Sequence, residues 1–411
     1  MSENPHICRS CGSDALKPII SLGDQPLANA LRTEKDLPIP QKKYPLELVF
    51  CPNCSLVQIT ETVNPEELFS EYLYFSSYSD TMLRHAQSLS ARITEKYHLS
   101  NDSLVIEIAS NDGYLLQYFK KGGIPVLGID PAKNIVKVAE EKGIPTKCAF
   151  FNLETARELR NEGKTGDILL GLNVLAHLAD LSGFIEGVKI LLKENGTAVF
   201  EVPYVRDMIT RNEFDTIYHE HLYYYSLISL RNLFKNHNLE IVDAEQVPVH
   251  GGSLRVFVQH HKASIHPSTR LESLLAEEYE VGLDKLRYYE EFGREVTHLK
   301  ADTLTLLAEL KSRGKTIVAY GAAAKGSTLL NYYGITKETI DYIGDRSPYK
   351  QGKYLPGTQI PIVSPDTIAE TKPDYIFILP WNLKDEIMDQ LKYIKGWGGH
   401  YIIPIPRIQV I

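Results

Sequence analysis

The chain lacks any apolar run long enough to cross a bilayer. Its polar N-terminus has no signal-peptide apolar core, which predicts a cytoplasmic protein with reduced thiols. It has no excess of positive charge: 44 Lys and Arg stand against 52 Asp and Glu, a net charge of −8. That balance argues against nucleic acid or an anionic membrane surface as partner. There is no solenoid-period repeat and no low-complexity tract. Cysteine is scarce, five in 411 residues. A glycine pattern is also missing. A dinucleotide loop needs Gly-x-Gly-x-x-Gly, so that the backbone can approach a pyrophosphate. The loop after the strand at 104–108 offers Gly113 alone. What remains is an ordinary globular composition, 43% hydrophobic and 23% charged, with length for two or three domains.

Four of the five cysteines form two pairs, Cys8-Arg9-Ser10-Cys11 and Cys51-Pro52-Asn53-Cys54. Two Cys-x-x-Cys pairs provide four thiolates for one tetrahedral zinc ion and leave no open coordination position, so the metal is read as structural. A redox Cys-x-x-Cys is the rival, but no thioredoxin-like pattern surrounds either pair. Gly12 suits a tight turn after the first pair. The region is too small for a large core, so metal supplies much of its stability and stays out of the chemistry. Cys148, left over in a strand-like run, reads as a buried inert thiol.

From 104 to 202 strands and helices alternate, which predicts a parallel sheet with right-handed crossovers. The strands fall at 104–108, 125–129, 146–150, 167–172 and 197–202, and 239–247 with 254–260 closes the sheet as a hairpin. Glu107 and Asp112 flank the first loop and would repel a pyrophosphate. Asp130, ending the second strand, is placed to accept ribose hydroxyls. A cationic nucleoside without phosphate describes S-adenosylmethionine (SAM).

After the fifth strand comes Asp215-Thr216-Ile217-Tyr218-His219-Glu220-His221, on a loop before a helix capped by Ser226. Ligands bind at this edge of open α/β sheets. If the segment is extended, His219 and His221 share one side and Tyr218 and Glu220 the other. Satisfied structural histidines are the bland alternative. The aromatic stretch that includes Tyr72 and Tyr78 either packs in a core or closes over a polar ligand. Near the C-terminus, 316–320, 341–345, 360–364 and 375–379 read as strands of a second Rossmann-like unit with an incomplete phosphate loop. Lys325, at a helix N-terminus after small residues, suits a diphosphate or a solvated surface.

These motifs together resemble the SAM-dependent C-methyltransferases that act on carbon 3 of nucleotide-linked keto-deoxysugars. The likeness spans nearly the whole chain. It rests on the cysteine pairs, Glu107 to Gly113, Asn173-Val174-Leu175-Ala176-His177, Tyr218 to His221, His250-Gly251-Gly252-Ser253-Leu254-Arg255 and Tyr320 to Gly326. The chain departs from the pattern at Ala109, where related enzymes often carry glycine.

The resemblance implies an α/β fold: a class I methyltransferase Rossmann-like sheet flanked by an N-terminal zinc-binding domain and a C-terminal Rossmann-like α/β domain. The domains would be 1–78, 79–268 and 269–411, in a monomer. Glu107, Gly113, Asp130 and Asn173 would hold SAM, with Ser110, Asn111 and Tyr78 beside them. Tyr218, Glu220 and His221 would work on the sugar, with His221 as base, Glu220 or His177 orienting or relaying, and Tyr218 or His219 donating to an enolate oxygen. Tyr72, His250, Gly251, Lys325 and Arg346 would border a dTDP-, GDP- or CDP-linked substrate. The competing readings are a sugar O-methyltransferase, an NAD-dependent nucleotide-sugar oxidoreductase or epimerase, and a non-enzymatic zinc scaffold.

Overall fold

The computed structural model describes residues 6–64, 67–68, 77, 80–249, 251–262 and 266–411. Tyr72, Tyr78 and His250 lie outside the described residues. Strands β1 (Lys17–Gln25), β2 (Tyr44–Phe50) and β3 (Val57–Ile59) form an antiparallel meander. One cysteine pair precedes β1 and the other joins β2 to β3. The two pairs fold alike. Gly12 N donates to Cys8 O and Ser55 N to Cys51 O, each at 2.8 Å, and Gly12 (φ 74°) and Ser55 (φ 62°) are both left-handed.

The second sheet holds β4 (Val105–Ile108), β5 (Val126–Asp130), β6 (Thr146–Cys148), β7 (Gly166–Leu172) and β8 (Leu192–Pro203). Further along the chain come β9 (Tyr223–Tyr224), β10 (Leu239–Val247) and β11 (Ser253–His260). The seven-stranded order is β10-β11-β8-β7-β4-β5-β6, with β11 antiparallel to both its neighbours. Strands such as Gly166–Leu172 are apolar nearly throughout because helices cover both faces, so there is no wet side to alternate toward. β4 has a parallel neighbour on each side, β5 and β7, which makes its carboxyl edge the topological switch point where a ligand crevice opens. Helix Leu227–Asn236 starts where expected: Ser226 Oγ accepts Ser229 N at 3.0 Å and the capping box is complete.

β9 is absent from the sequence-level expectation. It leaves the second sheet's territory and pairs with β3, Val57 opposite Tyr224 and Gln58 opposite Tyr223. The zinc sheet is therefore finished by a strand from the middle of the chain. Among the described residues, no helix is long and apolar enough to cross a membrane.

The third sheet contains β12 (Ile317–Tyr320), β13 (Ile343–Gly344), β14 (Ile362–Val363), β15 (Tyr375–Ile378), β16 (His400–Ile403) and β17 (Gln409–Val410). Its order is β14-β13-β12-β15-β16-β17, parallel except for β17. Helix Leu286–Ser312 leads into it and runs against β1. A Cβ at Gly293 would stand 2.7 Å from Ile19 O, so that close approach requires glycine. Cys148 corrects its expectation. It ends β6 exposed rather than buried, because the strand lies at the sheet's margin.

Candidate functional site

The metal cluster is the simplest part. The Sγ atoms of Cys8, Cys11, Cys51 and Cys54 all lie within 4.8 Å of one another. Cys8–Cys54 and Cys11–Cys51 are 3.5 and 3.6 Å apart. A Zn–S bond of about 2.3 Å gives tetrahedral edges of about 3.8 Å, so the four thiols fit zinc and leave no coordination position open.

The edge of β4 is built for a cation. Glu107 is 1% exposed, and its Oε2 has no hydrogen-bond partner among the described residues. Burial first, then the charges of Asp130 and Asp112, push its carboxyl well above the usual range. Ser110 Oγ and Asp112 Oδ1 are also buried without partners among the described residues. Asp112 is otherwise spent: Lys142 Nζ lies 2.8 Å from its Oδ2, which Ser77 also contacts. Of the two expected acidic flanks only Glu107 is therefore uncompensated, and a bound sulfonium or ammonium would relieve it.

Asp130 Oδ2 accepts Asn111 N at 3.0 Å and its Oδ1 accepts Ala132 N at 2.9 Å. Each oxygen retains a lone pair for a hydroxyl donor. Ala109 (φ 56°), Asn111 (φ 47°) and Gly113 (φ 75°) are all left-handed. That explains why glycine is common at the position of Ala109, since a side chain there strains the turn. At Gly113 a Cβ would come 2.8 Å from Ile144. Asn173 (φ 56°), whose amide donates to Glu201 O at 2.8 Å, turns β7 out of the same edge. The residues present fit SAM.

His177 stands four residues beyond Asn173, on the turn Leu175–His177. That turn is tied to the 222–225 stretch: Leu222 N donates to Ala176 O at 2.7 Å and Tyr225 Oη to Leu175 O at 3.0 Å. The Tyr218–His221 segment is not extended. His221 N donates to Tyr218 O at 2.8 Å, closing a turn that brings residues i and i+3 together. The alternation expectation fails for that reason. Tyr218 Oη and His221 Nε2 are 2.9 Å apart, with their ring centroids at 4.1 Å, and the His177 ring is 5.1 Å from His221.

Backbone carbonyls fix both tautomers, because a carbonyl only accepts. His221 Nδ1 donates to Thr216 O at 3.0 Å and His177 Nδ1 to Glu220 O at 2.6 Å. Each Nε2 is therefore the basic nitrogen, and Tyr218 O–H donates to that of His221. Burial lowers the pKa of His177 and keeps it neutral.

His219 departs from this group. It is 2% exposed, donates Nε2–H to Pro45 O at 3.1 Å, and packs against Tyr44. Burial lowers its pKa. Glu220 is half-buried and raised in pKa by desolvation, and its Oε1 accepts Asn29 Nδ2 at 2.7 Å. Asn29 comes from the loop after β1, and nothing in the single sequence marks it.

Across the seam to the third sheet, Asp215 Oδ2 accepts Trp381 Nε1 at 2.8 Å, and Phe214 packs against both Tyr332 and Tyr333. Lys325, in the first turn of helix Ala324–Tyr333, lies 5.1 Å from the Trp381 ring centre; burial raises the pKa of both Asp215 and Glu213, and the Lys325 charge offsets part of that rise. It faces the middle segment, whereas Arg346 is exposed. Gly251 (φ 92°) is half-buried, its carbonyl held by Arg211 Nη1.

The strand order, the left-handed loop after β4 and the uncompensated acid there define a class I SAM-dependent methyltransferase fold. Family models agree, matching a putative zinc binding domain at 8–69, a methyltransferase domain at 81–244 and a C-methyltransferase C-terminal domain at 248–406. C-methyltransferase NovU of Streptomyces niveus is 36% identical over 404 residues, 98% of this chain and 96% of the relative. Ubiquinone biosynthesis O-methyltransferase of Bartonella tribocorum is 30% identical over 93 residues, 22% of this chain and 38% of that one. The SAM-bound magnesium protoporphyrin IX methyltransferase of Synechocystis PCC 6803 aligns at 15% identity and TM-score 0.34, covering 46% of this chain and 86% of that one. The chain belongs to the C-methyltransferase family that includes NovU: it is a SAM-dependent C-methyltransferase with a zinc-binding cysteine cluster.

Proposed function

We infer that the enzyme methylates the carbon beside the ketone of a nucleotide-diphosphate-linked keto-deoxysugar, at C-3. The observation that supports this most is the Tyr218–His221 pair beside His177, on the same sheet edge as Glu107 and Asp130. Carbon is a poor nucleophile until a proton is removed, and a neighbouring ketone acidifies that proton. His221 Nε2, its tautomer set by Thr216 O, accepts the carbon-bound proton. Tyr218 turns its own proton from that nitrogen to the developing enolate oxygen; one such donor is worth about 2.7–4 kcal/mol. Neutral His177 stands behind, ready to receive or relay the proton. Glu220 orients the sugar through hydroxyl donors. His219, sealed under Pro45, serves the fold rather than the reaction.

SAM supplies the electrophilic methyl. Glu107, Ser110, Asn111, Gly113, Asp130 and Asn173 are the residues that would hold it. Lys325, Arg346 and Gly251 would border the nucleotide end of the substrate.

The test begins without SAM. In D2O the enzyme exchanges the α-proton of a dTDP-, GDP- or CDP-linked 4-keto-6-deoxysugar, and adding SAM then gives a one-methyl mass shift. The variant His221→Asn loses both activities, by roughly 10²–10⁴-fold, while its SAM affinity is unchanged. Methyl transfer by the wild type without α-proton exchange, or full exchange in the variant, overturns the assignment.

A further inference from the structure

Glu220 has a raised pKa because it is desolvated, and its one side-chain hydrogen bond among the described residues comes from outside the methyltransferase sheet. The donor is Asn29, in the loop that follows β1 of the zinc sheet. Pro26, Leu27 and Ala28 are buried just before it, whereas Asn29 itself is exposed. A turn holds it there: Ala30 N donates to Leu27 O at 3.1 Å and Leu31 N to Asn29 O at 2.9 Å. Behind the loop, Gln25 Nε2 donates to Leu22 O at 2.6 Å, and β1 is backed by helix Leu286–Ser312 through Gly293. The loop is thus anchored on its apolar side and presents one amide group at its tip.

An exposed asparagine on a rigid turn has little to gain in stability from reaching a distant carboxylate. The bond spans 191 residues of sequence and ends on the side chain between His219 and His221. One oxygen of Glu220 is thereby fixed. Among the described residues the Asn29 bond is the one hydrogen bond of the Glu220 carboxyl, and it leaves Oε2 unengaged. We propose that Asn29 is a positioning residue for methyl transfer: its amide pins Glu220 Oε1, so that Oε2 is presented to a substrate hydroxyl. The zinc domain then contributes to the reacting centre directly, rather than serving only as a scaffold. This rests on Glu220 acting at that centre, as proposed above.

The sign of the effect follows from the chemistry. The amide N–H stabilises the carboxylate form. Removing it raises the Glu220 pKa further, and a negative charge in its place raises it more. The experiment uses the full-length zinc-loaded enzyme with the variants Asn29→Ala, Asn29→Asp, Glu220→Gln and the doubles with Glu220→Gln. Asn29→Ala lowers kcat about tenfold, the scale of one lost positioning hydrogen bond, with SAM affinity, zinc content and melting temperature unchanged. The acid limb of its kcat/KM profile moves to higher pH, and Asn29→Asp moves it further. In the Glu220→Gln background, Asn29→Ala has little further effect, because the group it acts on is gone. An equal loss in both backgrounds, or a loss without movement of the acid limb, overturns the proposal. If Glu220→Gln retains full activity, the role given to Glu220 fails instead, and Asn29→Ala is then silent as well.

Discussion

The stretch 213–224 is held from two sides in two different ways. Its later half belongs to the zinc sheet: His219 donates to Pro45 O, Glu220 accepts from Asn29, and Tyr223–Tyr224 pairs with β3. These are hydrogen bonds and a strand pairing. Its earlier half belongs to the third sheet: Phe214 packs against Tyr332 and Tyr333, and Asp215 meets Trp381 and Lys325. That seam is aromatic and titratable, with Glu213 pushed up to about 7 and Asp215 to about 6, chiefly by burial. Tyr218 and His221 sit where the two halves meet. One flank depends on zinc. The other needs no metal but carries buried carboxyls whose ionisation opposes packing.

The strongest way to break this contrast is to remove the zinc. Structural zinc contributes roughly 10–16 kcal/mol of apparent folding free energy in small domains. Chelation, or Cys51→Ser, is expected to expose residues 8–59 to protease and to abolish methyl transfer, because Asn29 and Pro45 lose their places. A metal-free enzyme cut in that region yet still active would show that the flank does not serve the centre.

Phe214→Ala acts on the opposite flank. Phe214 is fully buried, and truncation of a buried Phe costs about 3–5 kcal/mol. Denaturant unfolding should show that loss with zinc retained, and kcat should fall less than on chelation.

The smallest effect is the most specific. Asp215 and Glu213 have folded-state pKa values raised above the ordinary carboxylate range. Their favourable contribution is complete below about pH 4 and is lost as pH rises through about 6 and then about 7. Lys325, Arg211 and Asp207 face Glu213, and Lys325 and Trp381 face Asp215. The melting temperature should therefore drop between about pH 4 and 7, and Asp215→Asn, which still accepts from Trp381, should flatten that slope. An unchanged slope in the variant would remove the seam as its source.

Much of the molecule was legible in the sequence. Two thiol pairs at fixed spacing specify a tetrahedral site because zinc's geometry is invariant. Alternating apolar strands and helices give the second sheet because burial on both faces leaves a clear pattern. Glu107 and Asp130 were singled out by position, since strand ends point at one edge, whereas Asn173 and His177 entered through the resemblance. The turn at Tyr218–His221 was not legible: an i to i+3 backbone bond, not a side-chain period, decides which rings meet. Nor was the exposure of Cys148, which depends on β6 being the sheet's outermost strand. The sequence by itself determined the metal, the sheet and the chemical groups available, because these depend on local spacing and residue type. Only the tertiary structure decided that β9 completes the zinc sheet and that Asn29 reaches Glu220, because pairings across 165 to 191 residues leave no trace in local periodicity.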